Sequence, residues 1–239
     1  MNTEGILRRS GHLVKADEAE RAAHDAGLAT LGTVVASPEH GAPEGVGAIL
    51  LFGLSHDGWN VFAASPEAAD GAPDPLDRWS TRVIGALGES LGAQSLFPFG
   101  GPPYQPFMRW AAASGRMGPS PLGMSIHDEH GLWMSFRGAL GFPVLEGMSE
   151  PPTVPRPCDS CTVKPCLKAC PVDAFEAEGD GSTYHVDRCA AHVASPEGAA
   201  CRQRGCLARR ACWVGQDWVP EPDRAAFHMA AFLRARGAA

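Results

Sequence analysis

The first 157 residues contain no cysteine, although the chain has eight. No apolar run approaches the roughly 18 residues from which a membrane-spanning helix is read. The longest, Val46 to Leu54, is interrupted by glycine. The opening stretch, MNTEGILRRSGHLVK, has two arginines but no apolar segment and no small-residue cleavage site, so neither an export signal nor an anchor is expected. A cytoplasmic protein with no membrane association is therefore predicted. Gly45, Gly47 and Gly53 do not form the G-x-G-x-x-G pattern that opens a dinucleotide-binding helix. An excess of positive charge is also missing. The formal net charge is -7, which argues against non-specific binding to nucleic acid or another polyanion.

What is present divides the chain by composition. Residues 1–146 mix helical and strand-like patterns, which predicts an α+β domain with a mixed or mostly antiparallel sheet and helices. Ala16 to Ala26 reads as a polar, alanine-rich helix. Leu28 to Val35 and Val46 to Leu54 read as strands, and Trp59 to Ala64 as a third, joined to the second through His56-Asp57-Gly58. Asp74-Pro75 is a helix start, with Asp capping and Pro in the first turn. Leu76, Trp79, Val83, Leu87 and Leu91 follow at helical spacing, a stripe read as core. Phe97 to Pro103 reads as a rigid loop, Tyr104 to Ser114 as a helix, Gly115 to Ser125 as a loop, and Gly131 to Leu140 as a buried strand. Residues 147–157 form a proline-rich, extended tether. A cysteine module follows over 158–215. A closing helix is expected from Asp223 to Arg236, within a C-terminal segment 216–239.

All the cysteines lie between Cys158 and Cys212. In a reducing compartment clustered thiols are metal ligands more often than disulfides. The first group is Cys158-x2-Cys161-x4-Cys166-x3-Cys170-Pro171. Bacterial ferredoxins use C-x2-C-x2-C-x3-C-P, and there the fourth cysteine ligates the other cluster. Three thiolates on one tight loop reach three irons of a cubane, while the sulfur beyond serves a second cubane. Here the middle gap is longer by two residues. Cys189, Cys201, Cys206 and Cys212 supply four more sulfurs at irregular spacing. Two 4Fe-4S clusters need eight thiolates, the number the chain has. The ferredoxin logic assigns Cys158, Cys161, Cys166 and Cys212 to one cluster, and Cys170, Cys189, Cys201 and Cys206 to the other. The alternatives are a structural zinc site, one cluster with four spare cysteines, or disulfides. Zinc favours two C-x2-C pairs, and only Cys158/Cys161 has that spacing. Arg202, Arg204, Arg209 and Arg210 are woven among the last cysteines; they read first as compensation for cluster charge and second as a docking surface.

The order of these cysteines resembles that in iron–sulfur proteins related to epoxyqueuosine reductase and the reductive dehalogenases. There a first motif ending in Cys-Pro precedes a lone cysteine and a final group of three, matched here by CDSCTVKPCLKACP, Cys189 in VDRC, and Cys201, Cys206 and Cys212. The stretch SPLGMSIHDEHGLWMSFRGALGF, Ser120 to Phe142, is similar to the family's segment before the tether. The likeness covers roughly residues 95–215 and is specific from 157 to 212. It implies a nitroreductase-like N-terminal domain of the kind seen in cobalamin-processing proteins, a ferredoxin-like module, and cobalamin as a possible second cofactor. The acidic catalytic residue of the tRNA-modifying members would fall at Gly100 or Gly101, which counts against epoxyqueuosine reduction.

Arg137 lies within an apolar stretch and needs either a structural partner or an anionic ligand. Tyr104, beside Gly100-Gly101-Pro102-Pro103, is a candidate to line a pocket or to pack. His127 and His130 flank Asp128 and Glu129 in an expected turn. They could touch a cofactor or donate protons, but read first as solvent-facing. Arg137, Tyr104 and His127 are the candidate cofactor-binding residues. The expectation is an iron–sulfur redox protein that delivers electrons from two 4Fe-4S clusters to a reaction centre, with a corrinoid considered, in its N-terminal domain. Its partner would be an electron donor or acceptor protein or a small-molecule reductant. A stand-alone electron carrier whose N-terminal domain docks a partner, and a non-catalytic redox or iron sensor, are the other readings.

Overall fold

A computed structural model of the chain describes residues 13–148, 151–153, 155–178 and 181–238. The start of the chain and parts of the tether lie outside the described residues. Helix α1 (Ala16–Asp25) leads into a four-stranded antiparallel sheet of order β1-β2-β6-β3, formed by β1 (Leu28–Val35), β2 (Ala48–Leu54), β3 (Gln94–Leu96) and β6 (Phe136–Phe142). Every residue of β2 is buried. Its two faces explain the unbroken apolar run. Ala48, Leu50, Phe52 and Leu54 meet α1 and α4 (Pro75–Leu91), whereas Ile49 and Leu51 meet α5 (Phe107–Ala113).

The stripe expected on α4 is core, with Leu76, Trp79 and Ile84 buried and Val83, Leu87 and Leu91 packed against them. Its start differs from expectation. Pro75 does occupy the first turn, but Asp74 is left-handed, with φ at 50°, and its side chain makes no capping bond. Glu67 in the short helix α3 (Pro66–Ala69) instead anchors α4 through Arg82, at 2.6 Å.

Three other expectations are corrected. The stretch after His56 is a helix, α2 (Gly58–Ala63), rather than a strand. Trp59 and Phe62 stand three apart and so face one core. The Ser55 hydroxyl accepts the Gly58 N–H at 2.9 Å, and a Cβ at Gly58 would lie 1.9 Å from the Gly27 carbonyl. Within Gly115 to Ser125, read as a loop, a hairpin forms between β4 (Met117–Pro119) and β5 (Ser125–His127). Strands this short and this rich in glycine and proline carry little alternation to detect. The expected strand from Gly131 begins only at Phe136, because Gly131 to Ser135 turn toward the cysteine region.

That region comprises α6 (Pro157–Ser160), α7 (Pro165–Lys168), a hairpin of β7 (Phe175–Glu178) and β8 (Gly181–Tyr184), then α8 (Val186–Ala194), α9 (Ala199–Arg204) and α10 (Leu207–Arg210). The closing helix α11 (Pro222–Ala235) falls within one residue of the expected span. It packs on α8 and α9. It also reaches the first half of the chain: Phe227 meets Trp59 and Phe62 edge to face, and Trp59 Nε1 donates to Asp223 at 2.8 Å. A second seam interlocks backbone with backbone. Gly131 and Gly215 both have positive φ, and a Cβ on Gly131 would lie 2.2 Å from the Val214 carbonyl oxygen. No helix among the described residues is long and apolar enough to cross a membrane.

Candidate functional site

The eight thiols are free, and the fold sorts them into two sets. Cys158 on α6, Cys161 just after it, Cys166 on α7 and Cys212 beyond α10 line a small cavity together with Ile126, Pro165 and Val214. Cys170 after α7, Cys189 on α8, Cys201 on α9 and Cys206 at the start of α10 line a second small cavity, with Val172, Phe175, Val193 and Met229. These are the two groups that the ferredoxin logic pairs, each completed by a sulfur distant in sequence.

Electrostatics divides the thiols the same way. Burial pushes the Cys158 thiol up to about 11, and the nearby Cys212, Cys166 and Cys161 add to the rise. Burial likewise raises Cys201, with further contributions from Cys206, Cys189 and Cys170. Cys166, Cys189, Cys206 and Cys212 are raised as well, burial being the main cause. Four crowded thiols in an apolar pocket resist ionisation unless a cation compensates them, so metal binding there would release protons.

Backbone N–H groups are already aimed at the sulfurs. Ala174 donates to Cys170 Sγ at 3.3 Å. The backbones of Leu167 at Cys166, Leu207 at Cys201, Ala208 and Arg209 at Cys206, and Val214 at Cys212 favour the thiolate against the larger effect of burial. Burial, and then the neighbouring Cys189 thiol, raise the pKa of the Tyr184 phenol, and Tyr184 in turn favours the Cys189 thiolate. Donors of this kind tune thiolate-held metal centres. Among the described residues no three His, Cys, Asp or Glu side chains are arranged to hold a single metal ion.

A larger cavity, about 1260 Å³ including its open mouth, lies where three parts of the chain meet. Met108, Met124, Trp133, Met134 and Phe136 come from the first half, Cys206 and Arg209 from the cysteine region, and Arg224, His228 and Met229 from α11. Cys206 thus belongs to the walls of both this cavity and the second thiol set.

The three candidate cofactor residues do not converge. Arg137 donates to Asp77 at 3.0 Å and to Ser135 at 3.0 Å, so its reading as a structurally paired arginine applies. Tyr104 is 67 % exposed and lines none of these cavities. His127 and His130, read as solvent-facing, are buried and stack at 4.4 Å. His127 Nδ1 accepts the Glu129 and His130 amides, so Nε2 carries the proton and donates to the Leu31 carbonyl at 3.1 Å. This histidine fastens the β5 turn to β1. Sequence reasoning missed Trp133, Arg224 and His228. The last two carry one available signal, polar residues four apart on a helix whose neighbours are mostly apolar. Of the cysteine-proximal arginines, Arg202 donates to the Val193 and Ser195 carbonyls, Arg210 to those of Arg204 and Pro220, and Arg209 faces Cys206.

No family model and no curated protein matches this chain. The fold itself defines an α+β protein with an antiparallel sheet.

Proposed function

We propose that this protein is a two-cluster iron–sulfur redox protein, with Cys158, Cys161, Cys166 and Cys212 holding one 4Fe-4S cluster and Cys170, Cys189, Cys201 and Cys206 the other. The observation that carries the reading is the separation of eight free thiols into two sets of four, each around its own compact cavity. The donor chemistry fits: soft sulfur ligands, amide donors to sulfur and an apolar surround. A zinc ion needs four donors about 2.3 Å from one point, whereas thiols spread around a cavity suit a polynuclear group. The cysteine order of the epoxyqueuosine reductase and reductive dehalogenase group, with its ferredoxin-like module and nitroreductase-like partner domain, supports the same assignment.

When bound, such clusters supply one-electron transfer. The chain's residues do the rest. The apolar shells around Ile126 and Val214 and around Phe175 and Val193 partly shield the sulfurs, with Cys166, Cys201 and Cys212 buried, and the backbones from Leu167 to Val214 favour thiolate. Cys206 places the second set against the large cavity, so an acceptor bound there would touch a ligand residue. That contact favours electron delivery within the chain over a stand-alone carrier. Electrons would enter from an external donor protein or small-molecule reductant. A corrinoid is one candidate acceptor, while the arginine-bearing wall of the cavity favours negative charge.

Anaerobically purified protein should contain about eight iron and eight sulfide ions per chain and give the spin-resonance signal of reduced cubanes. About four irons would remove one cluster, and stoichiometric zinc in place of iron would end the reading. A cobalamin titration that leaves the visible spectrum unaltered would remove the corrinoid from it.

A further inference from the structure

The large cavity carries positive charge that the protein does not balance. Arg209 and Arg224 line it, and Arg137 stands nearby. Arg137 is matched by Asp77. Arg209 and Arg224 make no ion pair with a carboxylate among the described residues. Arg224 is only 8 % exposed and donates to the Ser55 carbonyl at 3.3 Å. Arg209 donates to the Leu132 carbonyl, but its Nε is buried with no partner. The indole N–H of Trp133, on the same wall, is also buried and unpartnered. Buried donors and cations of this kind are costly unless something accepts from them.

The surrounding groups report the same imbalance. Burial, then Arg137 and Arg209, bring Arg224 down to about 10. Burial and all three arginines bring His228 down to about 4, so it is neutral at pH 7. Cys206 faces Arg209, yet its sulfur is pushed toward the neutral thiol by burial. As an iron ligand it would offset Arg209 in part and leave Arg224 unmatched. The remaining wall is apolar and adaptable: Met108, Met124, Met134, Phe136 and Met229.

We propose that this cavity binds an organic anion, its apolar body lying against the methionines and Phe136 and its carboxylate or phosphate held by Arg209 and Arg224. The Trp133 N–H and neutral His228 stand ready as uncharged partners, and Arg209 sets the anion beside Cys206. Guanidinium pairs are suited to planar or multidentate oxyanions. The site depends on the cavity and not on what the thiol sets hold, so it and the cluster reading fail separately.

Calorimetric titration of the full, anaerobically purified chain tests it with three probes of one shape: naphthyl phosphate, naphthoate and the neutral naphthamide. At least one anion should bind about tenfold or more tightly than the amide, a ratio expected from charge-assisted hydrogen bonds. Whichever anion binds more tightly identifies phosphate or carboxylate as the group recognised. Arg224→Gln should weaken that anion about tenfold and leave the amide unchanged. Arg209→Gln should do the same; because Arg209 also holds the Leu132 carbonyl, Arg224→Gln carries the test if Arg209→Gln misfolds. Met134→Trp, which fills the cavity, should reduce binding of every probe. Anions that bind no better than the amide, or a folded Arg224→Gln protein with undiminished anion affinity, would overturn the proposal.

Discussion

The guanidinium of Arg209 lies 4.3 Å from the centroid of the Trp133 ring. The contact joins the cysteine region to the turn before β6; Trp133 is buried and Arg209 half-buried. A partly desolvated cation over an indole face contributes about 1–2 kcal/mol. A double-mutant cycle with Arg209→Met and Trp133→Leu, read by urea unfolding, should therefore return a coupling of about 1–2 kcal/mol. Additive effects of the two substitutions would mean that the stacking contributes nothing.

The two thiol sets predict a pattern of partial loss. Cys161→Ser removes a sulfur from the first set and Cys201→Ser from the second. Each should bring iron from about eight to about four per chain and lower the melting temperature, because ligand binding is coupled to folding. The double variant should retain almost no iron. Cys170→Ser is the sharper case. It sits in the first motif by sequence but in the second cavity by geometry, so it should behave like Cys201→Ser. Spin-resonance spectra matching those of Cys161→Ser would refute the crossed assignment.

The reach of sequence reasoning follows from where each signal lies. The α4 stripe and the closing helix were legible because apolar residues recur at helical spacing over many turns. The pairing of the cysteines is an expectation of ferredoxin logic; local spacing explains only Cys158, Cys161 and Cys166, whereas Cys212 and Cys170 join their cavities from distant segments. The α2 helix was misread because a Gly–Trp–Asn–Val–Phe stretch satisfies either period over so few residues; the close approach to Gly27 that decides it is non-local. His127 looked like a turn residue because its neighbours Asp128 and Glu129 are polar. Its acceptor, the Leu31 carbonyl, lies 96 residues away. The arginine-lined cavity is assembled from three distant segments, so no single window of sequence contains it.

Arg137 and Asp77 form an asymmetric pair, with side chains 13 % and 36 % exposed. Burial lowers the Arg137 pKa, and Asp77 raises it in part. Removing the carboxylate strands a buried cation, whereas removing the cation leaves a carboxylate that can reach water. Asp77→Ala should therefore destabilise by about 2–4 kcal/mol, and Arg137→Met by clearly less. Chemical denaturation of the two variants checks the order. Equal losses, or a larger loss for Arg137→Met, would show that the pair is effectively solvated.

His130 predicts acid sensitivity. It is 5 % exposed, stacked on His127 and set 3.8 Å from the Trp218 ring centroid. Burial, then the neighbouring His127, bring its pKa from 6.5 to about 4. The folded protein thus keeps this imidazole neutral down to about 4, while the unfolded chain takes up a proton near 6.5. Between those values the unfolded state binds more protons, so stability falls as pH falls, by about 1.4 kcal/mol per unit, and levels off below about 4. From pH 6.5 to about 5 this single group should remove on the order of 2 kcal/mol, a loss that His130→Gln should abolish. Urea midpoints of both proteins across that range, with iron content followed at each pH to separate acid loss of metal, give the comparison. Parallel stability profiles for wild type and His130→Gln would mean that the ring titrates alike in the folded and unfolded states.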